Sequence, residues 1–329
     1  MSPKEAAETR EGVPLSNLDQ PLFDGADATK RDLIDYLDGV SERILPGLAG
    51  RPLSVIRVHR GETAFMQKNL PKYTPEWVPR VTLWAESSKR DVTYALCDDR
   101  PTLLWFGNQR AIEFHPALAL AERPDRITHL VLDLDPPEAE GETFAMAVDA
   151  ARLVREALDG LGLGGALKTS GAKGLHVFVP IDVDTDPADA AAATRAIAER
   201  AAALDPAIAT TAFLKEDRGG KVFVDATRVG GATVVAAYSP RARPGTPVSF
   251  PMSWDELDGL VPASITIRNA LERLGGGDAD PWAAQMPAPQ ALPAELVAEG
   301  QALPAPRVAA MHEGKRRRAA AAKKKTKKE

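Results

Sequence analysis

Hydrophobic residues recur at helical spacing in several stretches of the chain. In the clearest stretch, Leu33, Tyr36, Leu37, Val40 and Ile44 lie on one helical face. Just before it, residues 29–32 have the spacing of a capping box, which marks a helix start. The same kind of pattern predicts four more helices, over 101–111, 143–158, 188–204 and 265–274, the last of which stops at three glycines.

Short runs of β-branched, aromatic and other apolar residues predict strands between these helices. The predicted strands are 53–58, 81–84, 92–97, 127–134, 166–169, 175–179, 221–224 and 233–237. Helices and strands follow one another in a mixed order, without a regular βαβ alternation. We therefore predict an α/β fold with mixed or antiparallel sheets flanked by helices, rather than a doubly wound sheet.

The ends of the chain differ in pattern from its middle. Residues 1–16 are polar and unpatterned, which predicts disorder, whereas 17–284 carry the periodic segments of one folded domain. Residues 285–310 are rich in alanine and proline and are expected to form a linker. Residues 311–329 are expected to form a disordered basic tail.

The net charge hides a strong asymmetry. The 329 residues carry a formal charge of −5, but residues 315–328 hold nine lysines and arginines and no acid. Without 315–329, 32 basic and 45 acidic residues remain. An acidic body argues against a general coating of nucleic acid and permits a local basic groove or an acidic metal site. The tail is either a solvated terminus or a nonspecific phosphate contact.

Composition also limits the location and the cofactor class. No run of about 18 apolar residues occurs, and residues 1–12 lack the apolar core of a secretory signal. Cys97 is the single cysteine, which excludes an internal disulfide and a thiolate zinc site. We expect a cytoplasmic protein with no membrane contact.

The most informative strand ends in two acids, Asp133 and Asp135. Alternate side chains of a strand share a face, so these carboxylates lie together, roughly 7 Å apart at Cα. Their mutual repulsion calls for a cation, and hard oxygen ligands favour Mg²⁺ or Mn²⁺. Asp225 ends another strand in the same way, and three such acids suit a two-metal site. The alternatives are an Asp-Pro turn after Asp135 and a strand-capping aspartate at 225.

A glycine-containing loop at 169–176 lies between two predicted strands. Gly171 and Gly174 permit a tight backbone with exposed N–H groups, and Ser170, Lys173 and His176 offer phosphate-binding side chains. The loop is not a Walker A motif, because it lacks the pattern G-x-x-x-x-G-K-[ST] and is followed by a strand instead of a helix. The alternative is a hairpin turn with an incidental lysine.

Together, the D-L-D strand, the S-G-x-K-G-x-H loop and the later V-F-V-D strand resemble the polymerase domain of bacterial ligase D, a branch of the archaeo-eukaryotic primase superfamily. The resemblance extends from about residue 15 to 284, and these three motifs follow the family's order. SNLD at 16–19, GRPL at 50–53 and GDADPWA at 277–283 agree with it. No ligase motif follows, so the sequence resembles a stand-alone version of the domain.

The resemblance implies a role for individual residues. It implies that Asp133, Asp135 and Asp225 are catalytic and hold two Mg²⁺ or Mn²⁺ ions. The incoming nucleotide would be bound by Ser170, Lys173, His176, His115 and Arg241. DNA and its 5′-phosphate would be contacted by Asn17, Lys30, Phe65 and Arg218.

The family also implies an activity and partners. The implied activity is the metal-dependent addition of NTP or dNTP to a primer 3′-hydroxyl. The implied process is gap filling or end repair on gapped or broken DNA. The implied partners are Ku and a separate DNA ligase, in the cytoplasm near the nucleoid. Gln20, Met66 and Ile56 depart from the family pattern and indicate weaker 5′-phosphate recognition. Two other classes stay open, a non-catalytic DNA-end-binding module and a metal-dependent phosphoesterase.

Overall fold

The fold is taken from a computed structural model of the chain. The structure describes residues 8–59, 61–85, 89–138, 143–229, 233–258, 262–275 and 279–304.

The regular elements alternate irregularly along these residues. The strands are β1 (Thr9–Arg10), β2 (Val13–Pro14), β3 (Leu53–Arg57), β4 (Phe65–Gln67), β5 (Arg80–Ala85), β6 (Arg90–Ala95), β7 (Ala111–Pro116), β8 (His129–Asp135), β9 (Ala166–Thr169), β10 (Leu175–Pro180), β11 (Ala209–Thr210), β12 (Val222–Asp225) and β13 (Pro251–Met252). The α-helices are α1 (Lys30–Leu48), α2 (Arg100–Asn108), α3 (Phe144–Asp159), α4 (Pro187–Leu204), α5 (Ala270–Arg273), α6 (Pro281–Gln285) and α7 (Ala294–Ala302).

The larger sheet has six strands in the order β11-β12-β8-β10-β9-β13. All neighbours are antiparallel except β11 and β12, which are parallel. Helices α3, α4 and α7 share a hydrophobic core with this sheet. Strand β8 lies near the middle of the sheet and is flanked by β12 and β10, so its side chains have neighbours on both sides.

The second sheet has the order β4-β3-β6-β5, and β7 also pairs with β3. All of its pairings are antiparallel. It packs with α1 and α2 around a separate hydrophobic core. The predicted class, mixed and antiparallel sheets flanked by helices, is confirmed.

Helix α1 forms where the sequence pattern places it. The Thr29 backbone N–H donates to Asp32 at 2.7 Å, and the Asp32 N–H donates back to the Thr29 hydroxyl, which completes the capping box. All five residues of the predicted apolar face are buried.

Two predicted elements differ from the structure. The segment 233–237 is not a strand, although Val234 and Ala236 donate their N–H groups to carbonyl oxygens of Pro116 and Phe114 on β7. The return hydrogen bonds of an antiparallel ladder are missing, because Pro116 has no N–H and the N–H of Phe114 donates to the Ser239 hydroxyl. The left-handed backbone of Tyr238 then turns the chain away. The predicted helix over 265–274 is shorter in the structure and consists of α5 alone. The Asn269 side chain accepts a hydrogen bond from the Thr266 N–H, which holds the residues before α5 in a turn.

The predicted disordered N-terminus and the predicted linker both contain ordered segments. Residues 8–16 form the hairpin of β1 and β2, whose Val13 and Leu15 are buried. The linker prediction for 285–310 is wrong over 285–304, because α7 packs on α4 and buries Leu296 completely. An alanine-rich composition is typical of linkers, but it also suits close helix packing. Residues 1–7 and the tail 311–329 lie outside the described residues, and the 17–284 domain boundary stays a prediction.

No helix in the described part of the chain is both long enough and apolar enough to cross a membrane.

The packing of α7 on α4 depends on Gly300. A Cβ atom there would lie 1.9 Å from the Ala192 carbonyl oxygen, so Gly300→Ala must push the two helices apart. We expect a loss of about 1–3 kcal/mol in the free energy of unfolding, measured in urea. Gly47→Ala is the matched control, since no atom lies within 4 Å of the added Cβ. It should leave stability unchanged or raise it by up to about 1 kcal/mol. Equal effects of both variants would contradict a packed α7.

Candidate active site

Two neighbouring strands bring the three predicted acids onto one face of the larger sheet. Asp133 and Asp135 alternate along β8, and Asp225 pairs directly with Asp133 across the antiparallel β8–β12 ladder. Directly paired residues point to the same face, with Cβ atoms about 4.5–5.5 Å apart. Asp133 and Asp225 are buried, and Asp135 lies at the exposed end of its strand.

Arg228 bridges two of these acids. It lies in the 3₁₀ turn Thr227–Val229 directly after β12. Its Nη2 atom is 2.7 Å from Asp133 Oδ2 and 3.3 Å from Asp225 Oδ2, so these two oxygens lie within about 6 Å of each other. Burial alone would raise the pKa of Asp133, but the charges of His176 and Arg228 and their hydrogen bonds outweigh it and hold the pKa well below its usual range.

Asp135 has the opposite shift. Solvent reaches its side chain, but the surrounding protein still removes much of the water around the carboxyl. This desolvation, together with the negative charges of Asp133 and Asp225, raises its pKa to about 6. The ionised form of Asp135 is therefore disfavoured by desolvation and by its two acidic neighbours, and a bound cation would offset both effects.

These residues fit divalent cations by their chemistry. They offer carboxylate oxygens, the ligands that Mg²⁺ and Mn²⁺ prefer, and none of the nitrogen or sulfur sets typical of zinc. Within the described ranges, no three acidic, histidine or cysteine side chains are already gathered around a metal position. The Arg228 side chain between Asp133 and Asp225 explains this, because it occupies the oxygens that a cation would use.

The loop after β9 lies against the acidic strand because two of its residues are glycines. A Cβ atom on Gly174 would lie 2.1 Å from the Leu134 carbonyl oxygen, and one on Gly171 would lie 2.6 Å from Arg241 Cγ. Gly171 also has a φ of +65°, in the left-handed region. The Ser170 hydroxyl oxygen accepts N–H bonds from Ala172 and Gly174 at 3.2 Å each, which leaves its own hydrogen available for a ligand.

Two further predicted residues border the acids. His176 on β10 pairs with Asp133 in register, and its Nε2 atom lies 3.3 Å from Asp133 Oδ1. Burial and the nearby Lys168 lower the pKa of His176 to about 4. Lys173 is exposed at the tip of the loop and lines the adjoining cavity.

Glu113 on β7 connects two more of the predicted residues. The His115 Nε2–H group donates to Glu113 Oε2 at 2.8 Å, and Arg241 Nε is 3.0 Å from the same oxygen. Arg241 also donates to the Ser170 carbonyl oxygen, which ties it to the loop. Burial would raise the pKa of Glu113, but the hydrogen bond from His115 and the charge of Arg241 lower it to about 2.

A cavity of about 560 Å³ opens beside the acids and the loop. Arg218 lines it and stacks on Phe223, the residue paired with Asp135, at 3.9 Å from the ring centroid. Five cationic side chains line the cavity: Lys173, Lys215, Arg218, Lys221 and Arg243. Such a lining favours a polyanionic ligand next to the acidic face.

The three remaining predicted residues lie on the other core. Lys30, at the start of α1, is buried and donates to the carbonyl oxygen of Ser16, next to the exposed Asn17. Burial and the charge of Arg110 lower the pKa of Lys30 to about 8. Phe65 on β4 is 37% exposed and borders a groove of about 410 Å³ with Lys68 and Arg90. The structure thus groups Asn17 with Lys30 and places Phe65 on the second sheet.

The sequence reasoning did not identify several residues of the site: Glu113, Lys168, Arg228, Lys215, Lys221 and Arg243. Arg228 follows Asp225 by three residues, a spacing that brings a side chain back over the strand end. Glu113 has a similar local signal, since it lies two residues before His115 on the same strand. Lys168 has no such signal, because the sequence of a short apolar strand does not reveal that its lysine is buried.

Comparisons with known proteins agree with this arrangement. A profile of the LigD primase-polymerase domain matches residues 29–282. The chain is 35% identical over 273 residues to the multifunctional non-homologous end joining DNA repair protein LigD of Mycobacterium tuberculosis, covering 80% of this chain and 35% of that protein. It is 34% identical over 268 residues to the bifunctional non-homologous end joining protein LigD of Bacillus subtilis, covering 80% and 42%.

A solved structure has the same fold. The polymerase domain of Mycobacterium tuberculosis ligase D, in complex with DNA, superposes with a TM-score of 0.74 at 34% identity, covering 84% of this chain and 99% of that one. The sheets and acidic face thus define a nucleotidyltransferase-type enzyme of a metal-dependent family. The chain belongs to the LigD primase-polymerase domain family, and the predicted primase-like core is confirmed. It spans between about a third and two fifths of the length of these two full-length relatives.

The Glu113 network predicts a defined pH dependence of stability. Because the folded pKa of about 2 lies below the unfolded value of 4.5, the ionised carboxylate stabilises the fold above about pH 4.5. This contribution, at most about 3 kcal/mol, is lost as the pH falls towards 2. Glu113→Gln should be less stable than wild type at pH 7, and the gap should close between pH 4.5 and 2 in urea unfolding. For the exposed Glu76→Gln, no gap is expected, and a pH-independent gap for Glu113→Gln would exclude the network.

Proposed function

We propose that the chain is a metal-dependent primase-polymerase that adds nucleotides to a primer 3′-hydroxyl in gapped or broken DNA. The observation that carries the proposal is the convergence of Asp133, Asp135 and Asp225 on one sheet face beside a cavity lined by five cations. Acids for metal ions and cations for phosphates are the two requirements of nucleotidyl transfer. Membership of the LigD family supports the same activity.

Asp133, Asp135 and Asp225 would hold two Mg²⁺ or Mn²⁺ ions. Bound there, the ions would supply charge for the triphosphate and lower the pKa of the primer hydroxyl. Arg228 has to release the oxygens of Asp133 and Asp225 for this to happen, and it stays close enough to offset negative charge on the ligand. The buried position of Asp133 and Asp225 keeps their oxygens fixed.

The loop and its neighbours would bind the nucleotide. Ser170 and Lys173 line the cavity and present a hydroxyl and an ammonium group to it, while the Nε2 atom of His176 faces Asp133 behind them. Arg241 is fixed by Glu113 and by the Ser170 carbonyl oxygen, so its direction is set before a ligand arrives. Preset donors of this kind accelerate transfer mainly by positioning and charge. His115 would contribute to nucleotide binding through Glu113, which contacts both His115 and Arg241.

The DNA contacts would come from both cores. Arg218 borders the cavity and would lie near the template, while Phe65 would stack on a base from the second sheet. Asn17 and Lys30 would contact a 5′-phosphate across the gap. The relatives are named for non-homologous end joining, so we propose repair of DNA ends in the nucleoid, with Ku and a separate ligase as partners.

Primer extension on a gapped duplex with Mn²⁺ tests the activity. Wild type should lengthen the primer only when nucleoside triphosphates are present. Asp135→Asn should lower the rate at least about a hundredfold through lost metal binding. The same variant should raise the stability of the metal-free protein at pH 8, because it removes one of three repelling charges.

The half-buried Asp205→Asn, at the C-terminal cap of α4, is the matched control and should extend normally. Shortening of the DNA without triphosphates would favour a phosphoesterase. Binding of DNA ends by wild type with no extension would favour the non-catalytic end-binding module.

The basic tail gives a separate prediction about affinity. If residues 315–328 contact phosphates, deletion of 311–329 should weaken duplex binding most at low salt, because each contact releases counterions. We expect a loss of about tenfold at 50 mM salt that shrinks by 200 mM, measured by fluorescence anisotropy. A variant with the nine basic residues changed to glutamine controls for length. Equal affinity of the full and deleted chains at low salt would exclude a tail contact.

A further inference from the structure

A fully buried lysine lies directly behind His176. Lys168 on β9 has 0% of its surface exposed, and it pairs in register with His176 on β10. Its Nζ atom contacts His176 Nδ1 at 2.9 Å and Ser249 Oγ at 2.7 Å. Neither contact is to a carboxylate, although burying an amino group is costly unless its hydrogen bonds are well placed. The proposed mechanism leaves this lysine without a role.

The direction of the hydrogen bond between Lys168 and Ser249 follows from its neighbours. The Ser249 hydroxyl lies 2.8 Å from the Thr169 carbonyl oxygen, which can only accept. The hydroxyl has a single hydrogen, and that hydrogen is used there. Ser249 Oγ must therefore accept from Lys168, which fixes the amino group against the edge of the His176 ring.

The two nitrogens of His176 then have different partners. Nε2 faces Asp133 Oδ1 at 3.3 Å, a long contact to a group that only accepts, which favours a hydrogen on Nε2 but does not fix it alone. Nδ1 faces the amino group of Lys168, a donor, on the opposite side of the ring. The chain of contacts runs from the Thr169 carbonyl through Ser249 and Lys168 to the ring and ends at the acidic face.

We propose that Lys168, backed by Ser249, is a positioning residue that holds His176 in the tautomer with its hydrogen on Nε2. That hydrogen points to the side of the cavity where the acids lie, and it is available to a phosphate oxygen there. In the opposite tautomer, a lone pair on Nε2 would face both the carboxylate and the phosphate. The phosphate ligand rests on the proposed function, whereas the tautomer is a property of the free protein.

Nitrogen NMR of the ¹⁵N-histidine-labelled protein tests the tautomer without any ligand. In wild type, the His176 ring should show a protonated Nε2 and an unprotonated Nδ1, with the signal assigned by its loss in His176→Asn. Lys168→Met keeps the length of the side chain and removes the donor, so the ring should shift to a mixture or to the Nδ1-protonated form. Ser249→Ala, a milder change, should shift it in the same direction if Lys168→Met does not fold.

Binding of ATP with Mn²⁺, followed by calorimetry, tests the consequence for the ligand. Lys168→Met should weaken affinity about tenfold, as expected when a partner behind a ligand-binding histidine is lost. In the His176→Asn background, the same change should add no further loss, because Lys168 acts through the ring. Thr194→Val removes a buried hydroxyl that bonds to Ala190 in α4. As the control, it should alter neither the tautomer nor the affinity.

Each result decides between specific alternatives. A wild-type ring protonated on Nδ1, or an unchanged ring in both Lys168→Met and Ser249→Ala, would overturn the proposal. Additive losses in the double variant would also overturn it, because Lys168 would then act on the ligand directly. If wild type binds no ATP but its tautomer shifts in Lys168→Met, the proposed function fails while the positioning of His176 stands.

Discussion

The repulsion among three carboxylates on one sheet face is the constraint that the site is built around. Asp133 and Asp225 are paired across neighbouring strands and buried, so their charges cannot move apart or be screened fully by water. Arg228 offsets part of this charge, while desolvation and the charges of Asp133 and Asp225 raise the pKa of Asp135. A fold that served stability alone would gain by replacing these acids with apolar residues. Their presence is explained by ligands that bring positive charge.

The rest of the site is held by residues that do not face the ligand. Glu113 belongs to a strand of the second sheet, yet it sets the direction of Arg241, which reaches the loop on the first sheet. Lys168 has a similar position behind His176. The contact of Glu113 with Arg241 thus joins the second sheet to the loop of the first through charged groups, while Lys168 acts within the first sheet. The order of the nucleotide-facing side chains therefore depends on both sheets at once.

Much of the fold could be predicted from local pattern, and the failures have physical causes. The sequence pattern placed β8 and α4 within one or two residues and marked the start and the buried face of α1, because burial on one face leaves a clear spacing in the sequence. The helix α7 was missed because alanine and proline suit a linker as well as a helix that packs closely on α4. The segment 233–237 has strand composition, but β7 returns no hydrogen bonds to it, because Pro116 lacks an N–H and that of Phe114 is used by Ser239. Composition does not record which partner lies alongside.

The residues of the candidate site also fall into two groups, those that local sequence predicts and those that it does not. The acids and the loop could be identified because each lies beside a distinctive local motif, the strand-end aspartates or the paired glycines. Arg228, Glu113 and Lys168 act through distant or buried partners, so their importance is visible only once the strands are paired. The residues of the proposed 5′-phosphate contact, Asn17 and Lys30, are brought together by the chain entering α1, which the capping box alone does not reveal.

The close approach of Gly174 to the carbonyl oxygen of Leu134 has a consequence for how specificity could change. The backbones of the loop and the acidic strand are in close contact there, with no room for a side chain between them. The separation between phosphate donors and carboxylates is thus set by main-chain packing and is insensitive to most side-chain replacements. A shift in sugar or base preference would then have to arise at cavity side chains outside the loop and the acidic strand, such as those of Lys215, Arg218 and Lys221.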